Sequence, residues 1–188
     1  MKKKIFYWAF GVCFLLIGCT DRPARRPVTV KTNTFLKESA KKNKELLKEE
    51  EKVINSIIAQ DTLNTYVDSE HGFKYHYIRQ NPEATYTAKF GDIVTYTYGI
   101  TNLEGKTIYE ITPTPLVYYV DKEELFYGLR TALKILKENE TARFFFPSEI
   151  AFGYHGDKNK IGSNQPIIVE VTVLKIEKEE KSTSENQQ

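Results

Sequence analysis

The side chains with the greatest capacity for chemistry in this sequence are aromatic rather than ionisable. The 188 residues include 12 tyrosines, 11 phenylalanines and one tryptophan, 13% of the chain. Such rings are enriched in β-strands and in the walls of apolar pockets. The three histidines, His71, His76 and His155, are scattered and no cluster of carboxylates accompanies them. The composition therefore favours β structure and predicts packing or surface histidines, with no metal and no other cofactor.

The two cysteines both lie near the N-terminus. A lysine-rich start and an apolar run over residues 5–17 are typical of a secretory signal, because a membrane span needs about 20 apolar residues. The run ends in Leu16-Ile17-Gly18-Cys19, which resembles the lipobox of bacterial lipoproteins. The resemblance implies a signal peptide over residues 1–18 and acylation of Cys19 with fatty acids such as palmitate. The alternative is an ordinary signal peptide with an unrelated cysteine.

Removal of residues 1–18 changes what the rest of the chain can do. Cys13 leaves with the signal and Cys19 carries lipid, so disulfides, cysteine catalysis and cysteine-based zinc sites are excluded. Three of the 27 basic residues are lost, which leaves 24 basic residues against 25 acidic ones. The remaining chain therefore has no excess of positive charge with which to bind nucleic acid. We expect a lipid-anchored protein of the cell envelope. Since Asp21 does not directly follow Cys19, the outer membrane, on its periplasmic side, is favoured.

The elements that position the aromatic residues follow from periodicity. Residues 19–34 are predicted to form a tether, and residues 35–60 an amphipathic helix within a region of 35–68. The run of Glu49, Glu50 and Glu51 is interpreted as a solvated helix face. The apolar stripe of this helix needs a partner, which is either the following domain or a second copy in a homodimer. Docking on the domain is favoured.

The rest of the chain changes to a period of two and predicts an α+β domain over residues 69–177. Four or five strands are expected around one short helix or turn-plus-helix within residues 122–136. Six segments show a strand pattern, one or two more than this number: residues 73–79, 93–98, 107–111, 115–120, 141–147 and 167–176. A polar tail over residues 178–188 is expected to be disordered.

The order of motifs in this domain resembles the FKBP-type peptidyl-prolyl isomerases. Four landmarks carry the resemblance: Gly91-Asp92-Ile93-Val94 with Tyr96 and Tyr98, Gly105-Lys106, Leu125-Phe126 with Gly128 and Leu129, and the run from Pro147 to Gly153. Each is weak alone, but their spacing together is specific. The resemblance implies an antiparallel sheet wrapped around one short helix. The lipobox, helix and single domain together are similar to the gliding-motility-associated isomerase lipoproteins, which implies a role in gliding motility.

The resemblance also implies an apolar active site that binds X-Pro segments of exported proteins. It assigns as catalytic Tyr98, Phe126, Leu129 and Phe152, and as substrate-binding Ile108, Tyr109, Leu116, Leu125, Ile161 and Val169. Phe126 would also offer its backbone N–H to a carbonyl of the substrate.

Four of these positions depart from the family pattern. Leu116 and Val169 stand where the family prefers phenylalanine, Phe152 replaces the usual tyrosine, and Tyr109 stands where aspartate is common. Two polar groups of the family's active site, the hydroxyl of the tyrosine and the carboxylate of the aspartate, are therefore absent. Weak turnover of small peptides is expected. Three alternatives stay open: a non-catalytic module that binds proline segments, a chaperone whose long helix holds clients, and aromatic residues that only pack the core.

Overall fold

The structure is a computed structural model and describes residues 29–179. Residues 1–28 and 180–188 lie outside this range, and with them the predicted signal peptide, Cys19 and almost all of the polar tail. By internal contacts the chain divides into two compact units between Ala40 and Lys41. Among the described residues, no helix combines the length and the apolar character needed to cross a bilayer.

The N-terminal helix, α1, spans Thr29–Gln60. It begins six residues before the predicted start, inside the segment predicted as a tether. Residues 29–34 contain neither proline nor glycine, so nothing in the local sequence ends the helix at residue 35. Within the first unit, Phe35 and Leu36 are exposed.

Seven strands, which follow α1 in the chain, form one antiparallel sheet. They are β1 (Val67–Asp68), β2 (Lys74–Arg79), β3 (Ile93–Asn102), β4 (Thr107–Tyr109), β5 (Leu116–Tyr119), β6 (Thr141–Phe146) and β7 (Ile167–Glu177). Their order is β1-β2-β6-β7-β3-β4, and β5 pairs with the first part of β3. The predicted number of strands is too low, partly because β1 has only two residues and shows no alternation.

One short helix, α2 (Tyr127–Ile135), covers the inner face of the sheet. Its buried residues Leu129, Ala132 and Leu133 follow helical spacing, and Leu136 just after the helix is also buried. They pack against inward residues of β3, β6 and β7 in one core cluster. The predicted turn-plus-helix and the FKBP-like α+β class are confirmed.

The second half of α1 packs on the outer face of the sheet. Ile54 forms a separate buried cluster with Phe145 of β6 and Ile168 of β7. The carboxylate of Glu50 accepts hydrogen bonds from Ser148 N at 2.8 Å and Ser148 Oγ at 2.7 Å. The solvated interpretation of Glu50 is therefore wrong, because its side chain is buried and anchors the helix, while Glu49 and Glu51 are exposed.

Candidate active site

Three of the predicted site residues form a buried floor. Leu129 comes from α2, Ile161 from the loop before β7, and Val169 from β7, and none is more than 3% exposed. All three belong to the core cluster, where the register of the sheet sets Val169 between Ile100 of β3 and Phe144 of β6. These side chains are covered by protein and support the residues above them.

Half-buried side chains stand over this floor. Tyr98, Ile108, Leu125, Phe126 and Phe152 all pack against the core cluster and remain partly open to solvent. The rings of Phe126 and Phe152 have centroids 4.8 Å apart and are tilted by 42°. The chain thus brings the rings of Phe126 and Phe152 together from the start of α2 and from the segment between two single-turn 3₁₀-helices (Ser148–Ile150 and Gly153–His155), while Tyr98 of β3 packs on the same core cluster.

Leu116 lies at the edge of the predicted site. It occupies the first position of β5, opposite Tyr96 of β3, and is 37% exposed. It shares the inner face with Tyr118, which is buried, because alternate residues of a strand point to the same side. Leu116 therefore lies on the site's face of the sheet but beyond the part that is covered.

The start of α2 provides a backbone donor beside the rings. Phe126 is the N-cap residue with φ −62° and ψ 146°, and its N–H makes no hydrogen bond within residues 29–179. Unpaired N–H groups are usual at helix starts and can bind a ligand carbonyl. Burial raises the pKa of Tyr98, so its hydroxyl stays protonated at neutral pH and can donate as well.

Helix α2 lies close to the sheet because of Gly128. A Cβ at this position would be 2.8 Å from Cδ1 of Phe146, a fully buried ring that also contacts Phe126 with centroids 5.8 Å apart. A glycine here permits the close approach that places Phe126 at the site.

Tyr109 interacts with the protein's own loop. Its hydroxyl donates to Oδ2 of Asp157, whose Oδ1 accepts the N–H groups of Asn159 and Ile161, each at 2.8 Å. The hydrogen bond to Asp157 raises the pKa of Tyr109. Burial opposes ionisation of Asp157, but the hydrogen bonds that it accepts outweigh burial and lower its pKa. Sequence reasoning missed Asp157; nearby residues such as Gly156 and Asn159 indicated a loop but not the partner of its carboxylate.

Two sizeable cavities lie elsewhere on the domain. One of about 530 Å³ is bordered by α1 and β2, and one of about 500 Å³ lies over the outer face of β3. Of the predicted site residues only Tyr109 lines either of them. The half-exposed rings of Tyr98, Phe126 and Phe152 over the buried floor of the candidate active site border neither of these two cavities. Within residues 29–179, no group of three or more histidine, cysteine, aspartate or glutamate side chains is placed to hold a metal ion.

Comparison with known proteins agrees with this geometry. The family model described as FKBP-type peptidyl-prolyl cis-trans isomerase matches residues 84–174. A crystal structure of a peptidyl-prolyl cis-trans isomerase from Pseudomonas syringae superimposes with a TM-score of 0.58 at 16% sequence identity. The match covers 72% of this chain and 96% of that one. No curated protein matches the chain.

The fold and the site define an α+β domain with an apolar surface of rings in place of a polar catalytic centre. Residues 84–174 are accordingly an FKBP-type peptidyl-prolyl cis-trans isomerase domain. This is the enzyme class that the sequence predicts.

Proposed function

We propose that the chain is a lipid-anchored peptidyl-prolyl cis-trans isomerase that assists the folding of exported proteins in the cell envelope. The observation that carries the catalytic part is the paired rings of Phe126 and Phe152, with the half-exposed ring of Tyr98 packed on the same buried apolar core. The signal and lipobox pattern ending at Cys19 supports the anchored part. A contribution to gliding motility is the narrower form of the same proposal.

Such a surface suits the chemistry of a prolyl bond. Rotation is opposed by amide resonance, with a barrier of about 18–20 kcal/mol. A twisted amide separates less charge than a planar one, so an apolar site that excludes water favours the transition state over the ground state. The rings would hold the proline, and the free N–H of Phe126 would fix a carbonyl of the substrate. No nucleophile, metal or proton donor is needed.

A protease-coupled assay on a Leu-Pro or Phe-Pro peptide tests catalysis by the full-length chain. We expect turnover above the uncatalysed rate, and a loss of at least tenfold in kcat/KM for Phe126→Asp, which places a charge among the rings. Ile78→Ala is the matched control, because Ile78 is an exposed residue of β2 outside the site. A folded wild-type protein with no rate above buffer would overturn the catalytic proposal.

A non-catalytic module that binds proline segments is the second candidate. It is favoured by the lack of a hydroxyl on Phe152 and by the engagement of Tyr109 with Asp157, which together remove polar groups from the site. It predicts that proline peptides bind without turnover and that Tyr98→Ala abolishes binding. Isothermal titration beside the rate assay separates the two candidates.

The anchored location has its own test. Radiolabelled palmitate should be incorporated into the wild-type chain and not into Cys19→Ser, and only the former should fractionate with membranes. Palmitate in both chains, or in neither, would contradict acylation at Cys19 and leave the isomerase proposal untouched.

A further inference from the structure

A groove beside the isomerase site has no role in the proposed reaction. It has a volume of about 530 Å³ and is bounded by α1 on one side and by the turn before β2 and the segment after β6 on the other. Its apolar lining consists of Leu47, Ile54, Phe73, Phe145, Pro147 and Ile150. Such a lining accepts aliphatic side chains rather than polar ones.

The rim of this groove is acidic. Glu51 lies on α1 and Glu149 on the facing 3₁₀-helix, and both are exposed. Neither forms an ion pair with any residue from 29 to 179, whereas the lining residue Lys74 is paired with Asp68. Two unpartnered carboxylates over an apolar floor attract a chain that carries both apolar and basic side chains.

The groove lies near the isomerase site. Ile150, which lines the groove, is two residues from Phe152 in the chain, and both pack on the same core cluster. His71 at the other wall lies with Nδ1 3.2 Å from the hydroxyl of Tyr127, the residue directly after Phe126. A peptide with its proline at Phe126 and Phe152 would meet the groove within a few residues.

We propose that this groove is a second binding site of the isomerase, which holds an extended client segment that carries lysine or arginine among aliphatic residues and flanks the proline. This inference rests on the proposed function and names the class of substrate that it prefers. The acidic rim selects basic segments, and the apolar floor adds affinity that a short proline peptide cannot use.

Labelled peptides test the proposal on the full-length chain by fluorescence anisotropy. A Leu-Pro-Phe peptide is compared with the same peptide extended by six residues, about 20 Å when extended, that alternate leucine with lysine or leucine with glutamate. The extension is placed at either end in separate peptides. We expect the leucine–lysine extension at one end to lower Kd at least tenfold, and the leucine–glutamate extension to give no such gain.

Variants identify the groove as the source of this gain. In the double variant Glu51→Lys/Glu149→Lys the ratio of the two Kd values, extended to unextended, should return to about one. The matched control Glu83→Lys/Glu104→Lys makes the same change in charge outside the groove and should keep the gain. An equal gain from the glutamate extension, or an equal loss in both double variants, overturns the proposal.

A further peptide, the leucine–lysine extended one with alanine in place of proline, separates this inference from the proposed function. If no proline peptide is turned over but this peptide still binds and loses affinity in Glu51→Lys/Glu149→Lys, the groove stands and the isomerase proposal fails. If proline peptides are turned over with no gain from the extension, the isomerase proposal stands and the groove fails.

Discussion

The hydroxyl of Tyr109 illustrates how a single residue can serve a site indirectly. It belongs to β4, and its partner Asp157 organises the loop that carries the floor residue Ile161. The ammonium of Lys160 lies 4.9 Å from the centre of the Tyr109 ring and donates to the carbonyl of Ile108 at 3.3 Å. Tyr109 therefore acts as a positioning residue for this loop.

Tyr109→Phe keeps the ring and removes only the hydroxyl. We expect faster amide hydrogen exchange at Asn159 and Ile161 and a several-fold higher KM for proline peptides, with kcat less affected, because the loop is less well fixed. Tyr154→Phe, which alters an exposed tyrosine of the same loop, is the control. Unchanged exchange at Ile161 would mean that Asp157 holds the turn without Tyr109.

His76 on β2 links stability to pH. Its side chain is buried, its Nδ1 has no hydrogen-bond partner, and it stands opposite Arg143 of β6. Burial lowers its pKa below the usual 6.5, and Arg143 acts in the same direction. The unfolded chain therefore binds the proton more readily than the folded chain. The contribution of neutral His76 to the free energy of unfolding is fully present above pH 6.5 and declines as the pH falls below that value.

His76→Phe should remove this decline while it changes the free energy of unfolding at pH 7.5 by less than about 1.5 kcal/mol, because an aromatic ring of only slightly larger volume replaces an unpaired polar one. Urea denaturation from pH 7.5 to pH 5 measures both quantities. An identical slope against pH in wild type and variant would assign the decline to another group.

At the level of elements, the contact between α2 and the sheet has little spare room. In Gly128→Ala the new methyl group would meet the ring of Phe146, which has no free space because it is fully buried. We expect a loss of about 1–3 kcal/mol from overpacking, despite the better helix propensity of alanine, together with weaker peptide binding as Phe126 is displaced.

A double-mutant cycle with Phe146→Leu isolates this clash. The leucine leaves room for the methyl group, so Gly128→Ala should cost less in the Phe146→Leu background than in wild type. Additive losses measured by urea denaturation would show that the methyl group acts through something other than Phe146.

The docking of α1 depends on Glu50. Glu50→Gln retains one acceptor for Ser148 and replaces the other with a donor, so we expect a loss of about 1–3 kcal/mol and faster hydrogen exchange along residues 47–58. Glu49→Gln, at the exposed neighbour, should leave both unchanged. Equal effects of the two substitutions would rule out the bond to Ser148 as the cause.

The elements themselves were largely readable from the sequence, and the contacts between them were not. Alternation along β3 and β7 and the leucines of α2 report burial on one face, which periodicity detects. Glu50 and Asp157 are polar groups whose partners are set by tertiary structure; Ser148 is 98 positions from Glu50. The rings of the candidate site were predicted from motif spacing, but their half-exposed state depends on the packing of three segments.

For the whole molecule, three tyrosine–aspartate hydrogen bonds hold loops in place, two between residues five or six positions apart and one between residues 48 apart. Tyr66 donates to Asp61 at the end of α1, Tyr86 to Asp92 at the start of β3, and Tyr109 to Asp157. Asp92 also accepts the N–H of Glu179, near the end of the described chain, at 3.0 Å. Each pair fastens a loop or a chain end to the sheet.

These carboxylates predict how the fold responds to strong acid. Hydrogen bonds from Asn64, Tyr66 and backbone N–H groups lower the pKa of Asp61 to about 2. Burial disfavours the charged form of Asp92, but the hydrogen bonds from Tyr86, Lys89 and Glu179 prevail and lower its pKa, as for Asp157. A carboxylate with a lowered pKa stabilises the fold above its unfolded value, near 3.8, and this contribution is lost as the pH falls through the folded pKa.

The free energy of unfolding should therefore fall in a second step below about pH 4, separate from the step due to His76. Asp92→Asn should lower the free energy of unfolding at pH 7 by about 1–3 kcal/mol, because it leaves buried donors imperfectly paired. It should also make the fall in stability below pH 4, the acid limb of the curve, less steep. Glu83→Gln, at an exposed carboxylate, is the control and should leave the limb unchanged. Urea denaturation between pH 7 and pH 2 measures both effects, and an acid limb as steep in Asp92→Asn as in wild type would show that Asp92 contributes nothing to acid stability.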